Sequence, residues 1–144
     1  MKAIKLLSVF LLCLSCTSQT KKINGVSFVA SSIAINQKHT KPVKKVSANY
    51  VALMPFGFIK NISSPEVIFN AKGQWFGETN EGLKQYAREF QREQIQVMVK
   101  PQIWVWNGVY TGTIEMNSEQ DWKTLEKTYK VFILNYANTC LLYT

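Results

Sequence analysis

The stretch Val97–Trp106, VMVKPQIWVW, decides how the fold of this chain is interpreted. It opens with Val, Met and Val, with no polar residue among them, which is typical of a strand buried between two layers. Pro101 has no N–H to donate to a sheet, so the strand should end there. We therefore predict a strand over Gln96–Lys100 and a loop over Pro101–Asn117.

Two tryptophans stand near the start of that loop. Trp104 and Trp106 follow the predicted strand closely, beside Lys100 and Gln102. Aromatic rings next to a cation and an amide at the carboxyl end of a strand indicate one wall of a ligand site. Since alternating residues of an extended chain point in opposite directions, either indole can instead be buried against a helix.

On both sides of this stretch, the sequence predicts strands that alternate with helices. The other predicted elements are a strand over Ile23–Ala30, a short helix capped by Thr40 and ending at Ala48–Asn49, a strand over Tyr50–Pro55, a helix capped by Asn80 or Thr79, and a helix capped by Ser118 and Asp121. A long loop, Phe56–Thr79, follows the second strand, and loops of that length in compact domains are commonly functional.

The second and third helices carry apolar residues at helical spacing, so one face of each should pack on a sheet. These residues are Leu83, Tyr86, Ala87 and Phe90 in the second helix, and Trp122, Leu125, Tyr129, Phe132, Ile133 and Tyr136 in the third. The alternation predicts parallel α/β architecture with right-handed crossovers. No GxGxxG or GxxxxGK[ST] motif follows a strand, which disfavours nucleotide-binding versions of that architecture.

The first residues, MKAIKLLSVFLLCLSC, have the order of a secretory signal, with two lysines and a short apolar run before Ser15 and Cys16. Ser15-Cys16, followed by the polar TSQTKK, resembles a bacterial lipoprotein signal in which Cys16 becomes the acylated amino terminus. An ordinary signal peptide cut nearby is the alternative. We predict a signal peptide at 1–15, a lipoprotein tether at 16–22, and a membrane-anchored protein at the cell envelope.

Charge and metal-ligand counts exclude several function classes. The formal charge of +8 falls to +6 once Lys2 and Lys5 leave with the signal, and no basic motif accompanies it, so we predict no nucleic-acid partner. His39 and Cys140 are the histidine and cysteine left after Cys13 is removed and Cys16 is acylated, and they form no cluster. We therefore predict no metal, no cofactor and no internal disulfide, and place His39 in a solvated loop.

Five motifs in order resemble the amino-terminal part of glycoside hydrolase family 113: GVSFVA, ANYVALMPFGF, QWFGE with its following EGL, VMVKPQIWV, and IEMNSEQDW. The family consists of β-mannanase-type (β/α)8 barrels that act with retention. The resemblance implies a TIM-barrel fold over residues 23–137 and a polysaccharide or oligosaccharide partner. The last residues, 138–144, do not resemble the family.

A (β/α)8 barrel needs about 250 residues, whereas a mature chain beginning at Cys16 has 129, enough for about three βα units. We therefore expect a truncated chain whose residues 138–144 form a non-native tail. Three parallel strands leave an open edge and an uncovered inner face, which predicts low stability of the isolated chain.

Retaining hydrolysis needs two carboxyl groups about 5–5.5 Å apart. The resemblance places them at the ends of the fourth and seventh strands of the barrel, so we predict no catalytic residue in this chain. Glu81 and Glu115 are explained by nearby helix starts, whereas Glu78 follows Trp75 and can face a sugar.

A sugar-binding surface is what remains, because pyranose C–H faces stack on aromatic rings while amides and charges bond the hydroxyls. The predicted substrate-binding residues are Trp75, Glu78, Lys100, Gln102, Trp104 and Trp106. Phe56 and Phe58 are expected to pack the base of the second loop. The sequence thus predicts an amino-terminal fragment of an exported glycoside hydrolase for β-linked, mannan-like polysaccharide, inactive alone. The alternative is a non-catalytic carbohydrate-binding or structural lipoprotein.

Overall fold

The computed structural model describes residues 22–141. The predicted signal peptide, the predicted acylation site Cys16, most of the predicted tether and the last three residues of the predicted tail lie outside the described residues. The elements are β1 (Gly25–Phe28), α1 (Gln37–Lys45), β2 (Tyr50–Leu53), β3 (Phe56–Ile59), α2 (Asn80–Arg92), β4 (Gln96–Val99), β5 (Gln102–Val105) and α3 (Glu119–Leu141). Short 3-10 turns lie at Phe76–Glu78, Trp106–Gly108 and Thr111–Thr113.

The strands pair in parallel, as the alternation of elements predicts. β1, β2 and β4 form one sheet in the order β1-β2-β4, and β3 pairs with β5 in a second. The helices lie between successive strands along the chain and α3 follows β5. The α/β class is therefore confirmed. A separate finding is that within residues 22–141 no helix is long and apolar enough to cross a membrane.

Strands β2 and β4 end before Pro55 and Pro101, but a further strand begins directly after each proline, which corrects the predicted loops at Phe56 and Pro101. Pro55 lies between β2 and β3, and Pro101 between β4 and β5. The N–H of Lys100 donates to the Leu53 carbonyl at 2.8 Å, and the N–H of Gln102 donates to the Pro55 carbonyl at 2.9 Å. The residues that flank Pro101 thus carry the parallel pairing past it, from β2 and β4 to β3 and β5.

The hydrophobic core lies between the strands and the helices α2 and α3. Val51, Leu53, Ile59 and Val105 supply the strand side, and Leu83, Tyr86, Phe90, Phe132 and Tyr136 supply the helix side, each at most 2% exposed. The predicted packing face of α2 is confirmed. The predicted face of α3 is confirmed at Phe132 and Tyr136, but Trp122 and Tyr129 are 40% and 45% exposed.

Helix α1 begins four residues earlier than predicted, and Asn36 rather than Thr40 is its N-cap. The Asn36 side chain accepts from the Lys38 N–H at 3.0 Å, and the Asn36 N–H donates to Nδ1 of His39 at 3.1 Å. This reciprocal pair is a capping box in which His39 takes the place of the usual Glu or Gln. His39 therefore lies in a helix rather than in a loop, and Thr40 is buried one turn inside.

Replacing Asn36 by alanine is expected to lower the free energy of unfolding by about 1 kcal/mol, because the first turn of α1 loses its side-chain acceptor. Asn36→Asp keeps an acceptor at the same place and should stay close to wild type. Urea unfolding followed by circular dichroism measures both variants. Equal loss in the two variants would show that the cap is not what stabilises this turn.

Candidate functional site

A cleft of about 430 Å³ opens between the strand pair β3–β5 and the segment that leads into α2. We call it the aromatic cleft, and it is lined by Phe56, Phe58, Gly73, Gln74, Trp75, Glu78 and Trp104. Four of these residues are aromatic and one is a carboxylate. The cleft adjoins β3 and β5, which follow the carboxyl ends of β2 and β4, and (β/α)8 barrels place their active sites at the carboxyl ends of their strands.

Strand alternation sets three of the four rings on one face. Phe58 and Trp104 are direct partners across the β3–β5 ladder, and Phe56 lies two residues before Phe58. The rings of Phe56 and Trp104 meet edge to face, with centroids 6.2 Å apart and planes at 84°. Gly57 and Ile59 point to the opposite, buried face. The open face of β3–β5 therefore presents a contiguous aromatic wall.

Gly57 lets the strand lie close to α3 behind that wall. A Cβ added there would come within 2.7 Å of Val67 and 2.9 Å of the Phe132 ring. Phe132 is fully buried and packs edge to face on Tyr136. In the sequence FGFI, the two phenylalanine rings thus lie on the open face of β3, and the glycine between them allows β3 to lie close to α3.

Glu78 enters the cleft from the 3-10 turn Phe76–Glu78, and three elements hold the turn in place. The buried Tyr136 hydroxyl of α3 donates to the Glu78 carbonyl at 2.8 Å. The Gly77 N–H donates to the Ser31 carbonyl after β1 at 2.9 Å. The Thr79 side chain accepts from the Gly82 N–H at 3.1 Å and so caps α2 directly after the turn. The position of the Glu78 backbone is therefore fixed by the loop after β1, by α2 and by α3.

Gln74 lines the cleft together with Glu78. Its Oε1 accepts from the Ala71 N–H at 3.2 Å, and its Nε2 donates to the Phe56 carbonyl at 2.8 Å. Its side chain also hydrogen-bonds the Glu78 carboxyl. Gln74 thus joins the loop to β3 and holds the carboxyl in place.

Burial is the larger influence on the Glu78 carboxyl and raises its pKa above the ordinary value of 4.5, while the hydrogen bond from Gln74 opposes that rise. Glu78 is only 8% exposed. Burial, and then the nearby charge of Glu78, also raise the pKa of the Tyr136 phenol, which therefore stays a hydrogen-bond donor.

Glu78→Gln is expected to raise the free energy of unfolding at pH 7 but not below pH 4. Because the folded-state pKa of Glu78 lies above the unfolded one, the wild type is most stable where the carboxyl is protonated in both states. It loses that stability as the pH rises through the folded pKa. The measurement is the melting temperature of both proteins from pH 3.5 to 7.5. Glu115→Gln, which removes an exposed carboxylate outside the cleft, is the matched control for the loss of one negative charge.

The six predicted substrate-binding residues do not all meet. Trp75, Glu78 and Trp104 line the aromatic cleft together. Gln102 lines an adjoining depression of about 400 Å³ that shares Phe56 and Trp104 with the cleft and extends to Tyr110. Lys100 and Trp106 line neither, and both are exposed. No observation tests binding by any of the six, and the geometry favours Trp75, Glu78 and Trp104 over Lys100 and Trp106.

Phe56, Phe58 and Gln74 belong to the cleft although the sequence did not single them out for binding. Phe56 and Phe58 were expected at the base of the second loop, whereas they stand on the open face of a strand. Their i, i+2 spacing around a glycine was the available signal, because strand alternation places such a pair on one face. Nothing in the sequence marks Gln74, whose role depends on two backbone partners in other segments.

Within residues 22–141, Glu78 is the only carboxylate that lines the cleft or the adjoining depression. No group of three or more potential metal ligands occurs in the same part of the chain. The arrangement can therefore stack a ring, accept hydrogen bonds through one carboxyl, and exchange a proton at that carboxyl.

Comparison with solved structures places this fold among known ones. The fold resembles that of GH113 β-1,4-mannanases. One such structure superposes with a TM-score of 0.63 at 16% sequence identity, over 80% of this chain and 40% of the mannanase. A complex structure of a GH113 β-1,4-mannanase matches with the same TM-score and coverage at 15% identity.

The chain thus spans about two fifths of the length of the mannanases it matches. No protein-family model and no curated protein matches the sequence. The resemblance predicted from the five motifs is confirmed at the level of the fold, as is the similarity to a TIM barrel.

Proposed function

We propose that the aromatic cleft binds a β-linked, mannan-like polysaccharide, and that this chain is the amino-terminal part of an exported glycoside hydrolase, inactive by itself. The observation that carries the proposal is the placement of Trp75 and Trp104 around one cleft with Glu78 between the elements that form it. A stacked pyranose needs such rings, and a carboxyl at their edge can accept a hydroxyl proton.

The proposed inactivity follows from the carboxylates of the described residues. Retention requires a nucleophile and an acid/base group about 5–5.5 Å apart. Glu78 has no second carboxylate beside it in the cleft. A single buried carboxyl can bind sugar and exchange a proton, but it cannot supply both groups of the retaining pair.

The proposed export and lipid anchor rest on the sequence alone. The lysines, the apolar run and Ser15-Cys16 have the order of a lipoprotein signal, and a polar tether follows. Metabolic labelling with a radioactive fatty acid tests this part, since Cys16→Ser should abolish the label if Cys16 is acylated.

Isothermal titration of the purified chain with mannotetraose tests the binding part, and assay of released reducing sugar tests the inactivity. We expect a dissociation constant in the millimolar range, because one wall of aromatic rings gives only a few kcal/mol, roughly 4 kcal/mol at 1 mM. We also expect no turnover above the buffer rate. Robust hydrolysis would contradict the proposal, since no retaining pair has been identified, and absence of binding by the folded chain would contradict it as well.

A non-catalytic carbohydrate-binding lipoprotein is the second candidate, and one observation favours it. Among the described residues, every buried side-chain nitrogen and oxygen has a hydrogen-bond partner, and α2 and α3 cover one face of the strands. Such a chain should unfold cooperatively and elute as a discrete species. Aggregation and gradual loss of ellipticity would instead favour the fragment of a larger enzyme.

A further inference from the structure

The depression that adjoins the aromatic cleft shares two of its rings. It has a volume of about 400 Å³ and is lined by β5, by residues 108–111 after that strand, and by Phe56. Phe56 and Trp104 line both the cleft and this depression. We call it the Tyr110 depression, after the residue that lines it and is 75% exposed. Two cavities that share a wall of two rings can hold neighbouring parts of one ligand.

The register of β3 and β5 places an amide next to the shared rings. Gln102 pairs with Phe56 across the ladder and lies two residues before Trp104, so the three side chains share one face. The Gln102 Nε2 donates to the Met54 sulfur at 3.6 Å, and a thioether is a weak acceptor. The amide of Gln102 can therefore bond a hydroxyl group of a ligand that contacts the two rings.

The loop after β5 holds Tyr110 in place. Gly108 has a φ of +70°, and a Cβ added there would come within 3.9 Å of the Trp104 ring, so this loop lies close to the indole. The N–H and the hydroxyl of Thr113 donate to the Tyr110 carbonyl at 3.1 and 2.7 Å. A Cβ at Gly112 would overlap the Tyr110 ring, so that ring packs directly on the backbone of the turn. Hydrogen bonds and packing therefore position a ring that is open to a ligand.

Both cavities suit a neutral sugar. In the part of the chain that the structure describes, no charged side chain lines the Tyr110 depression. In the aromatic cleft, the Glu78 carboxyl is an acceptor, and the indole N–H groups of Trp75 and Trp104 are donors. Rings beside donors and acceptors match a pyranose, because its hydroxyls both donate and accept hydrogen bonds.

We propose that the Tyr110 depression is a second sugar subsite. It holds a unit of the same glycan chain next to the unit in the aromatic cleft, with Trp104 between the two units and Tyr110 stacked on the second. This inference rests on the proposed function, because it extends the binding site proposed there, and it defines the ligand as a segment of several linked units. The affinity should therefore increase with chain length, and Tyr110 should be responsible for part of that increase.

The test compares mannotetraose with methyl β-mannopyranoside, a single unit, by NMR titration of the 15N-labelled full chain. Tyr110→Ala should raise the dissociation constant of mannotetraose by about 5- to 10-fold, the loss expected when one aromatic contact is removed. The constant for the single unit should change by less than about 2-fold, because that unit occupies the aromatic cleft. Tyr110→Phe keeps the ring and should bind both ligands as the wild type does.

Gly112→Ala provides a second variant, in which the tyrosine is kept but its ring is displaced. The added Cβ would overlap the Tyr110 ring, so this variant should also weaken mannotetraose and spare the single unit. Because Tyr110 is exposed, Tyr110→Ala should melt at the same temperature as the wild type, which separates a binding effect from unfolding.

Unchanged mannotetraose binding in Tyr110→Ala, or an equal loss for the two ligands, would overturn the second subsite while leaving sugar binding by the aromatic cleft intact. A wild-type chain that binds the single unit as tightly as mannotetraose would overturn it as well. Failure of the folded wild type to bind either ligand would overturn the proposed function, and this inference with it.

Discussion

Gly82→Ala is expected to lower the free energy of unfolding by about 3 kcal/mol or more, a large fraction of the roughly 5–15 kcal/mol that stabilises a typical domain. A Cβ at this position would overlap the carbonyl oxygen of Phe76 and come within 2.8 Å of the Gly77 Cα. Both obstacles are backbone atoms of the turn that holds Glu78, so neither can yield by rotating a side chain. The first turn of α2 or the 3-10 turn would have to move.

Gly25→Ala is the matched control, because the added Cβ would meet its nearest atom, the Tyr50 Cβ, at an ordinary 3.7 Å. It should change the free energy of unfolding by less than about 0.5 kcal/mol. Urea titration of both variants decides the matter. Similar stabilities would mean that the close approach of α2 to the Phe76–Glu78 turn is not part of the native packing.

Trp104→Ala is expected to weaken sugar binding by about 10- to 100-fold, or roughly 1.5–3 kcal/mol, as is usual for a central aromatic anchor. Trp104 lines both the aromatic cleft and the adjoining depression, and its ring meets Phe56 edge to face. Removing it takes away the stacking surface that the two depressions share.

Trp106→Ala provides a control two residues further on. Trp106 is 46% exposed, close to the 48% of Trp104, but it lines neither depression. Its replacement should change the dissociation constant by less than about 2-fold, within the range of near-neutral surface changes. Calorimetric titration with the same oligosaccharide measures both variants, and a larger loss from Trp106→Ala would place the sugar elsewhere.

The boundaries and buried faces of the helices could be predicted from the sequence to different extents. Thr79 and the spacing of Leu83, Tyr86 and Phe90 define α2 almost to the residue, because capping and amphipathic periodicity are local signals. The N-cap of α1 was missed since Asn36 pairs with His39, a residue rarely used in a capping box. On α3, periodicity located Phe132 and Tyr136 but not the exposure of Trp122, which depends on which neighbours reach that turn.

Prolines misled the prediction of the strands for a physical reason. The absence of an N–H at Pro101 is a property of that residue, whereas continuation of the ladder depends on the N–H groups of Lys100 and Gln102 and on carbonyls about 47 residues away. Only the pairing of β2 with β4 supplies those carbonyls. Strands β3 and β5, and with them the face that Phe56 and Phe58 share, therefore became visible only in the structure.

The candidate site was predictable in type and only partly in membership. Trp75, Glu78 and Trp104 were selected for their chemistry, and the structure brings them to one cleft. Lys100 and Trp106 were selected on the same chemical grounds, as a cation that bonds hydroxyls and a ring that stacks, but they lie outside that cleft. Assembly of the site depends on long-range contacts, such as the bond from the Tyr136 hydroxyl to the Glu78 carbonyl, which no local pattern encodes.

Titration of the 15N-labelled chain with mannotetraose, followed through the four tryptophan indole N–H signals, tests sugar binding by the aromatic cleft most directly. The signals of Trp75 and Trp104 should shift together and saturate with one dissociation constant, while those of Trp106 and Trp122 stay in place. Indole signals that do not move, or movement confined to Trp106 and Trp122, would contradict sugar binding at this cleft.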